Sequence, residues 1–276
     1  MPTALPRPLP RVAHALLGWA CAGALLSAPL AGHAQGFAAY ITPPRFEVLA
    51  TPGQALRQVL EIQHAGQQKG NYRIYTSDWT LNADNSVTFS DQLAADSCRP
   101  WVAIERRDLV IEPGGRYRYR FEITPPPGTP ARECRFAIMV EGLEPAQVQG
   151  SLNFPVGGRI GVIVYAAIGD AAPQLEIAGT RVVMVEGKST AVVDVRNRGN
   201  AHGRLEGFVN GTDASGRRFE MAPADLPILP GETRPIALSP VVEEGKPAPE
   251  VRFPLVVSGK LEWGRNSVPL DTRFAP

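Results

Sequence analysis

The side chains able to do chemistry are few. Beyond residue 34 the chain holds two histidines, His64 and His202, and two cysteines, Cys98 and Cys134. The histidines have no H-x-x-x-H spacing, and no free cysteine is left to join them, so no metal-ligand set is read. Each lies beside a glycine-containing stretch, and both are read as surface or turn residues rather than as bases. Gly187-Lys188-Ser189 has the ending of a phosphate loop, but the position of its earlier glycine is Val182, so it reads as a hairpin turn. There is no G-x-S-x-G nucleophile turn, and the carboxylates are scattered. The expectation is a protein that is not an enzyme and uses no metal or cofactor. Cys98 and Cys134 lack a C-x-x-C spacing, and an isolated pair in an exported chain reads as a disulfide.

Export is read from the first 34 residues. Arg7 and Arg11 give a positive start, Ala13 to Leu30 is an apolar run, and Gly32-His33-Ala34 offers small residues for cleavage before Gln35. Cys21 lies inside the apolar run with Trp19 before it, so no lipid anchor is assigned there. Cleavage removes two arginines and no acid, taking 28 basic and 27 acidic residues to 26 and 27, a formal charge of −1. That balance gives no basic surface for nucleic acid. No later segment is apolar enough to span a membrane.

The elements that must position any site are strands. Helical periodicity is nearly absent. Short runs rich in Val, Ile, Tyr, Phe and Thr alternate with Pro and Gly turns. In the first half these runs are Ile41–Leu49, Leu56–His64, Tyr72–Trp79, Val87–Phe89, Trp101–Ile104, Tyr117–Ile123, Arg135–Glu141 and Val148–Tyr165. Pro52-Gly53, Asn82–Asn85, Pro113-Gly114-Gly115 and Pro125–Gly128 supply turns. Gly169–Pro173 breaks the pattern. Strand runs resume at Gln174–Ile177, Arg181–Val185, Thr190–Arg196, Arg204–Gly211, Arg217–Met221, Thr233–Leu238, Val251–Glu262 and Ser267–Arg273. The fold class is therefore all-β, with two immunoglobulin-like β-sandwich domains in tandem. The expected division is a signal over residues 1–34, an N-terminal sandwich over 35–168 and a C-terminal sandwich over 173–276.

One run is longer than a strand needs to be. Val148, Leu152, Phe154, Val156, Ile160, Val162 and Val164 share one parity from Gln147 to Tyr165. Its second half is apolar on both faces and reads as core. Its first half is apolar on one face only and reads as an edge offered to another protein.

Two exported sandwiches joined after such a strand resemble the periplasmic pilus and fimbrial assembly chaperones, the PapD-like chaperone–usher family. Leu109-Val110-Ile111-Glu112-Pro113-Gly114 is similar to the family's aliphatic run and Pro-Gly turn. Arg159-Ile160-Gly161-Val162-Ile163-Val164-Tyr165 is similar to its R-I-K-hydrophobic segment before the hinge. Asn197–Gly199, Ile228–Arg234 and Gly259–Trp263 fit its C-terminal domain. The resemblance covers nearly all of the chain after residue 34. It implies a periplasmic chaperone that binds pilin or fimbrial subunits by lending a β-strand and delivers them to an outer-membrane usher. It implies that Val148, Leu152, Phe154 and Val156 fill the subunit's groove, and that Arg45 and Arg159 anchor the subunit's terminal carboxylate. The family's lysine position is Gly161 here, a departure from the pattern. The alternative from another class is a secreted structural or adhesive tandem β-sandwich protein of a surface fibre.

Overall fold

The structure is a computed structural model and describes residues 37–143, 158–185, 187–242 and 244–276. It is built of strands. The first ten are β1 (Ala39–Thr42), β2 (Arg45–Ala50), β3 (Leu56–His64), β4 (Gly70–Leu81), β5 (Val87–Ser90), β6 (Val102–Ile104), β7 (Asp108–Ile111), β8 (Arg116–Ile123), β9 (Glu133–Gly142) and β10 (Arg159–Ile168). They form two sheets, one in the order β1-β3-β8-β6 and the other β2-β10-β9-β4-β5, with β7 also on β4. Period-two alternation turns one row of each sheet inward. Leu60 and Ile62 of β3, with Tyr119, Phe121 and Ile123 of β8, meet Phe136, Ile138 and Val140 of β9 and Val162 and Val164 of β10. Phe121 packs edge-to-face against both Phe46 and Phe136, at 5.1 and 6.4 Å between ring centres. Cys98 and Cys134 are bonded, with Cα atoms 5.8 Å apart.

The remaining strands are β11 (Leu175–Val185), β12 (Lys188–Asn197), β13 (Val209–Thr212), β14 (Arg218–Pro223), β15 (Thr233–Pro240), β16 (Leu255–Trp263), β17 (Asn266–Pro269) and β18 (Thr272–Phe274). They pair along one path, β11-β12-β15-β14-β13-β16-β17, with β18 on β16. The sheet folds over its own core, since Leu175 and Val193 from one end join Leu261 and Phe274 from the other. Gly187, at φ +77°, lies in the turn between β11 and β12, where Gly187-Lys188-Ser189 reads as a hairpin.

Two expected strands are interrupted. Ile41–Leu49 splits at Pro43-Pro44, because neither proline has an N–H for a ladder. The break lets β1 pair with β3 in one sheet and β2 run parallel to β10 in the other. Arg204–Gly211 is a strand only from Val209 onward; before it the chain makes single bridges from Gly203 to Ile228 and from Glu206 to Glu262.

Contrary to the surface reading, His64 is buried and the His202 side chain is only 9% exposed. His64 continues the inward parity of Leu60 and Ile62. Its Nδ1 accepts from the Tyr72 hydroxyl at 2.5 Å, and its Nε2 donates to the Gln68 carbonyl at 2.6 Å. His202 lies between the domains.

Candidate functional site

The site is assembled where β10 meets the second domain. Alternation puts Ile160, Val162, Val164 and Ala166 of β10 toward the core and Arg159, Gly161, Ile163 and Tyr165 on the outer face. β9 pairs with β10 along Arg159–Ala167. On the other side β2 begins only at Ile163, so Arg159–Val162 carries no partner strand on that side among the described residues. The hairpin root is closed by the Gly142 N–H donating to the Gly158 carbonyl at 2.9 Å. Val148, Leu152, Phe154 and Val156 lie outside the described residues.

The two arginines read as an anchor are not brought together. Arg45 stands opposite Ile163 in the β2–β10 register. Arg159 is four residues earlier on β10, roughly 13 Å along the strand at about 3.3 Å per residue. Arg159 is exposed. Arg45 is already engaged, by Glu47 at 2.8 Å and by Asp225 of the second domain at 3.2 Å.

Gly161 is roofed by Phe89 of β5. A Cβ built there would collide with the ring, with Phe89 Cε1 2.6 Å and the Met139 sulfur 3.0 Å away. The outer face is therefore covered by an aromatic ring where the family resemblance puts a lysine. Gly161→Ala is expected to cost about 1–3 kcal/mol, the usual range for overpacking. Urea unfolding at pH 7 measures it, and a variant as stable as the parent would show that Phe89 moves aside freely.

Sequence reading missed the residues that face each other across the domain junction, because their partners are distant in the chain. Tyr165 stacks on His202 with ring centres 3.8 Å apart and meets Trp79 edge-to-face at 5.5 Å. His202 Nδ1 is 2.5 Å from Glu133 Oε2, and the His202 main-chain N–H donates to the same oxygen at 2.8 Å. His202 Nε2 is 3.6 Å from Glu47 Oε1, which also takes Arg204 at 3.3 Å. Arg204 reaches Asp225 at 2.8 Å, and Arg45 joins both acids.

The electrostatics follow from this geometry. His202 is the largest influence holding the Glu47 carboxyl down at about 2, with burial opposing and Arg204 and Arg45 reinforcing. At 3.6 Å the contact is long for a hydrogen bond, so we read it as attraction between charges. Burial is the largest influence on His202 and would lower its pKa; Glu133 and Glu47 outweigh it, and the net direction is upward. Burial pushes the Tyr165 hydroxyl up to about 12, so it stays protonated at neutral pH.

Two further contacts fix the domains. In the turn after β12, the Asn200 side chain accepts from the Ala172 N–H at 2.9 Å and donates to the Ala131 carbonyl at 2.8 Å. Gly199 leaves no room for a side chain against the linker, since a Cβ would lie 2.6 Å from the Gln174 nitrogen. The buried Asn197 holds the turn from within, donating to the Ala201 and Ile228 carbonyls and accepting from Gln174 and Gly199. At the far side, Arg234 donates to Asn85 at 2.7 Å, gripping the tip of the β4–β5 hairpin.

Among the described residues no cluster of histidine, cysteine and carboxylate side chains is arranged to hold a metal ion. No helix among them is long and apolar enough to cross a membrane.

No family model matches the chain, and no curated protein does. Solved structures align with it at low identity. The class 5 fimbriae chaperone CfaA aligns at 11% identity and a TM-score of 0.46, covering 86% of this chain and 99% of that one. The E. coli chaperone DraB aligns at 12% and 0.45, covering 86% and 100%. A chain of the Salmonella enterica SafA pilin–SafB chaperone complex aligns at 11% and 0.44, covering 86% and 98%.

Proposed function

We propose that this protein is a periplasmic chaperone of a chaperone–usher pathway. It binds a pilin or fimbrial subunit, lends it a β-strand and passes it to an outer-membrane usher. One observation carries the reading: over Arg159–Val162 one edge of β10 is unpaired among the described residues, and the chain leading into it carries the alternating row Val148, Leu152, Phe154 and Val156. A row of that kind suits β-strand addition, in which backbone pairing gives affinity and alternate side chains fill a groove. Gly150 and Pro155 temper it, because glycine offers no plug and proline removes one backbone donor. The proposed chaperone performs no chemistry and needs no ATP, metal or other cofactor.

Arg45 and Arg159 are the proposed carboxylate anchors. With about 13 Å between them along the strands, they act separately. Arg45 must exchange Asp225, whose side chain is 63% exposed, for the client's carboxylate. Arg159 sits beside the unpaired edge itself.

The test is co-purification of the tagged protein from periplasm with the pilin-like proteins encoded beside its gene. A one-to-one complex is the expected result. A stable monomer that captures none of them would overturn the reading and favour the structural or adhesive module of a surface fibre.

A further inference from the structure

We propose that His202 is a proton-operated latch between the two domains: charged, it bridges Glu133 and Glu47 and holds the junction shut, and neutral, it lets go of Glu47. This goes beyond the chaperone reading and does not rest on it.

The geometry sets the two states. The His202 side chain is only 9% exposed, and that of Glu133 only 2%. Both carboxylates belong to the first domain, Glu133 on β9 and Glu47 on β2, while the imidazole belongs to the second. An imidazolium has two N–H groups and can face both acids at once; a neutral ring has one. The short contact to Glu133, reinforced by the His202 main-chain N–H, keeps the remaining proton on Nδ1. Nε2 then turns a lone pair toward the Glu47 carboxylate at 3.6 Å. Attraction across the junction becomes repulsion.

The surrounding charges allow this change to be felt. On β2, Glu47 is held ionised between Arg45 and Arg204. On β9, Arg135 stands 3.7 Å from the other oxygen of Glu133. On β10, Tyr165 covers one face of the ring and stays neutral. From the second domain, Arg204 lies over the Tyr165 ring and binds Asp225, its charge neutralised by the acids on either side. His202 is thus the group among these whose charge changes in the physiological range. Its pKa in the closed junction is raised above the ordinary value. The latch is therefore fully present below about pH 6.5, the ordinary histidine value, and is lost as pH rises through the closed-state pKa. Each unit by which the closed-state pKa exceeds the open-state value changes the open-to-closed ratio about tenfold.

The test uses the purified, client-free protein with spin labels at Val110→Cys and Val256→Cys, both exposed and one in each domain. Pulsed dipolar spectroscopy at pH 5 and pH 9 is expected to give a narrow distance distribution that broadens or lengthens at the higher pH. In His202→Gln, which cannot take up a proton, the two distributions should coincide. Ring-proton NMR of the unlabelled protein should show a histidine titrating above the ordinary value, absent in His202→Gln and shifted down in Glu133→Gln. Identical parent distributions at both pH values would overturn the latch. So would a pH response that survives undiminished in His202→Gln, or a His202 that titrates no higher than an exposed histidine.

Discussion

Leu152→Asp combined with Phe154→Asp is expected to abolish recovery of a client complex, weakening client binding roughly 10²–10⁴-fold. The estimate starts from burial. Each large apolar side chain moved from water into a groove is worth about 1.5–3 kcal/mol. Losing two removes roughly 3–6 kcal/mol, and each 1.4 kcal/mol is a factor of ten. Aspartate adds the cost of pushing a carboxylate against apolar surface. The row is read as an edge offered to a client, so the doubly substituted chain is expected to unfold at the parent temperature. Co-expression with the subunit, followed by affinity capture and a melting curve of the captured protein, separates binding from folding. Unchanged complex yield with a normal melting curve would remove strand donation through this row.

Cys98→Ala with Cys134→Ala is expected to destabilise the first domain by about 4 kcal/mol. The bond joins positions 36 apart in sequence. In the chain-entropy account, opening a loop of that size returns roughly this much freedom to the unfolded state. Both cysteines are buried, and alanine avoids placing a hydroxyl among apolar neighbours. The melting temperature should fall by roughly 10–20 °C for a domain of this size. Urea unfolding of parent and variant under oxidising conditions measures the difference. A loss below about 1 kcal/mol would mean that the unfolded chain is already compact around this loop. The bond has local importance too. Cys134 sits between Glu133 and Arg135, so it also steadies the strand that offers Glu133 to the second domain.

What could be read from the residues was whatever depends on neighbours in sequence. Leu56–His64 is bounded as expected, because its alternation is unbroken and turns flank it. The disulfide followed from two cysteines in a chain read as exported. The break at Pro43-Pro44 was visible in principle, since two residues without N–H groups cannot sit inside a ladder, yet the flanking alternation runs straight across them. His64 was also within reach, by counting parity along its own strand. His202 was not. Its acids lie 69 positions away at Glu133 and far earlier still at Glu47, and nothing local distinguishes it from a turn residue. Arg45 and Arg159 show the same limit in another form. Each strand's alternation fixes which way its side chains face, but the offset between parallel strands is set by the sheet, and that offset separates the pair.

Gly161 and Phe89 also constrain the order in which this surface could change. A side chain at 161 meets the ring at once, whereas Phe89 can be shortened without creating any clash. Residues in such contact do not change independently. A route that introduces a cation at position 161 runs through trimming Phe89 first; the opposite order passes through a strained intermediate. The two positions form one packing unit, in which the space beside the glycine is filled by an aromatic ring contributed from more than seventy residues earlier in the chain.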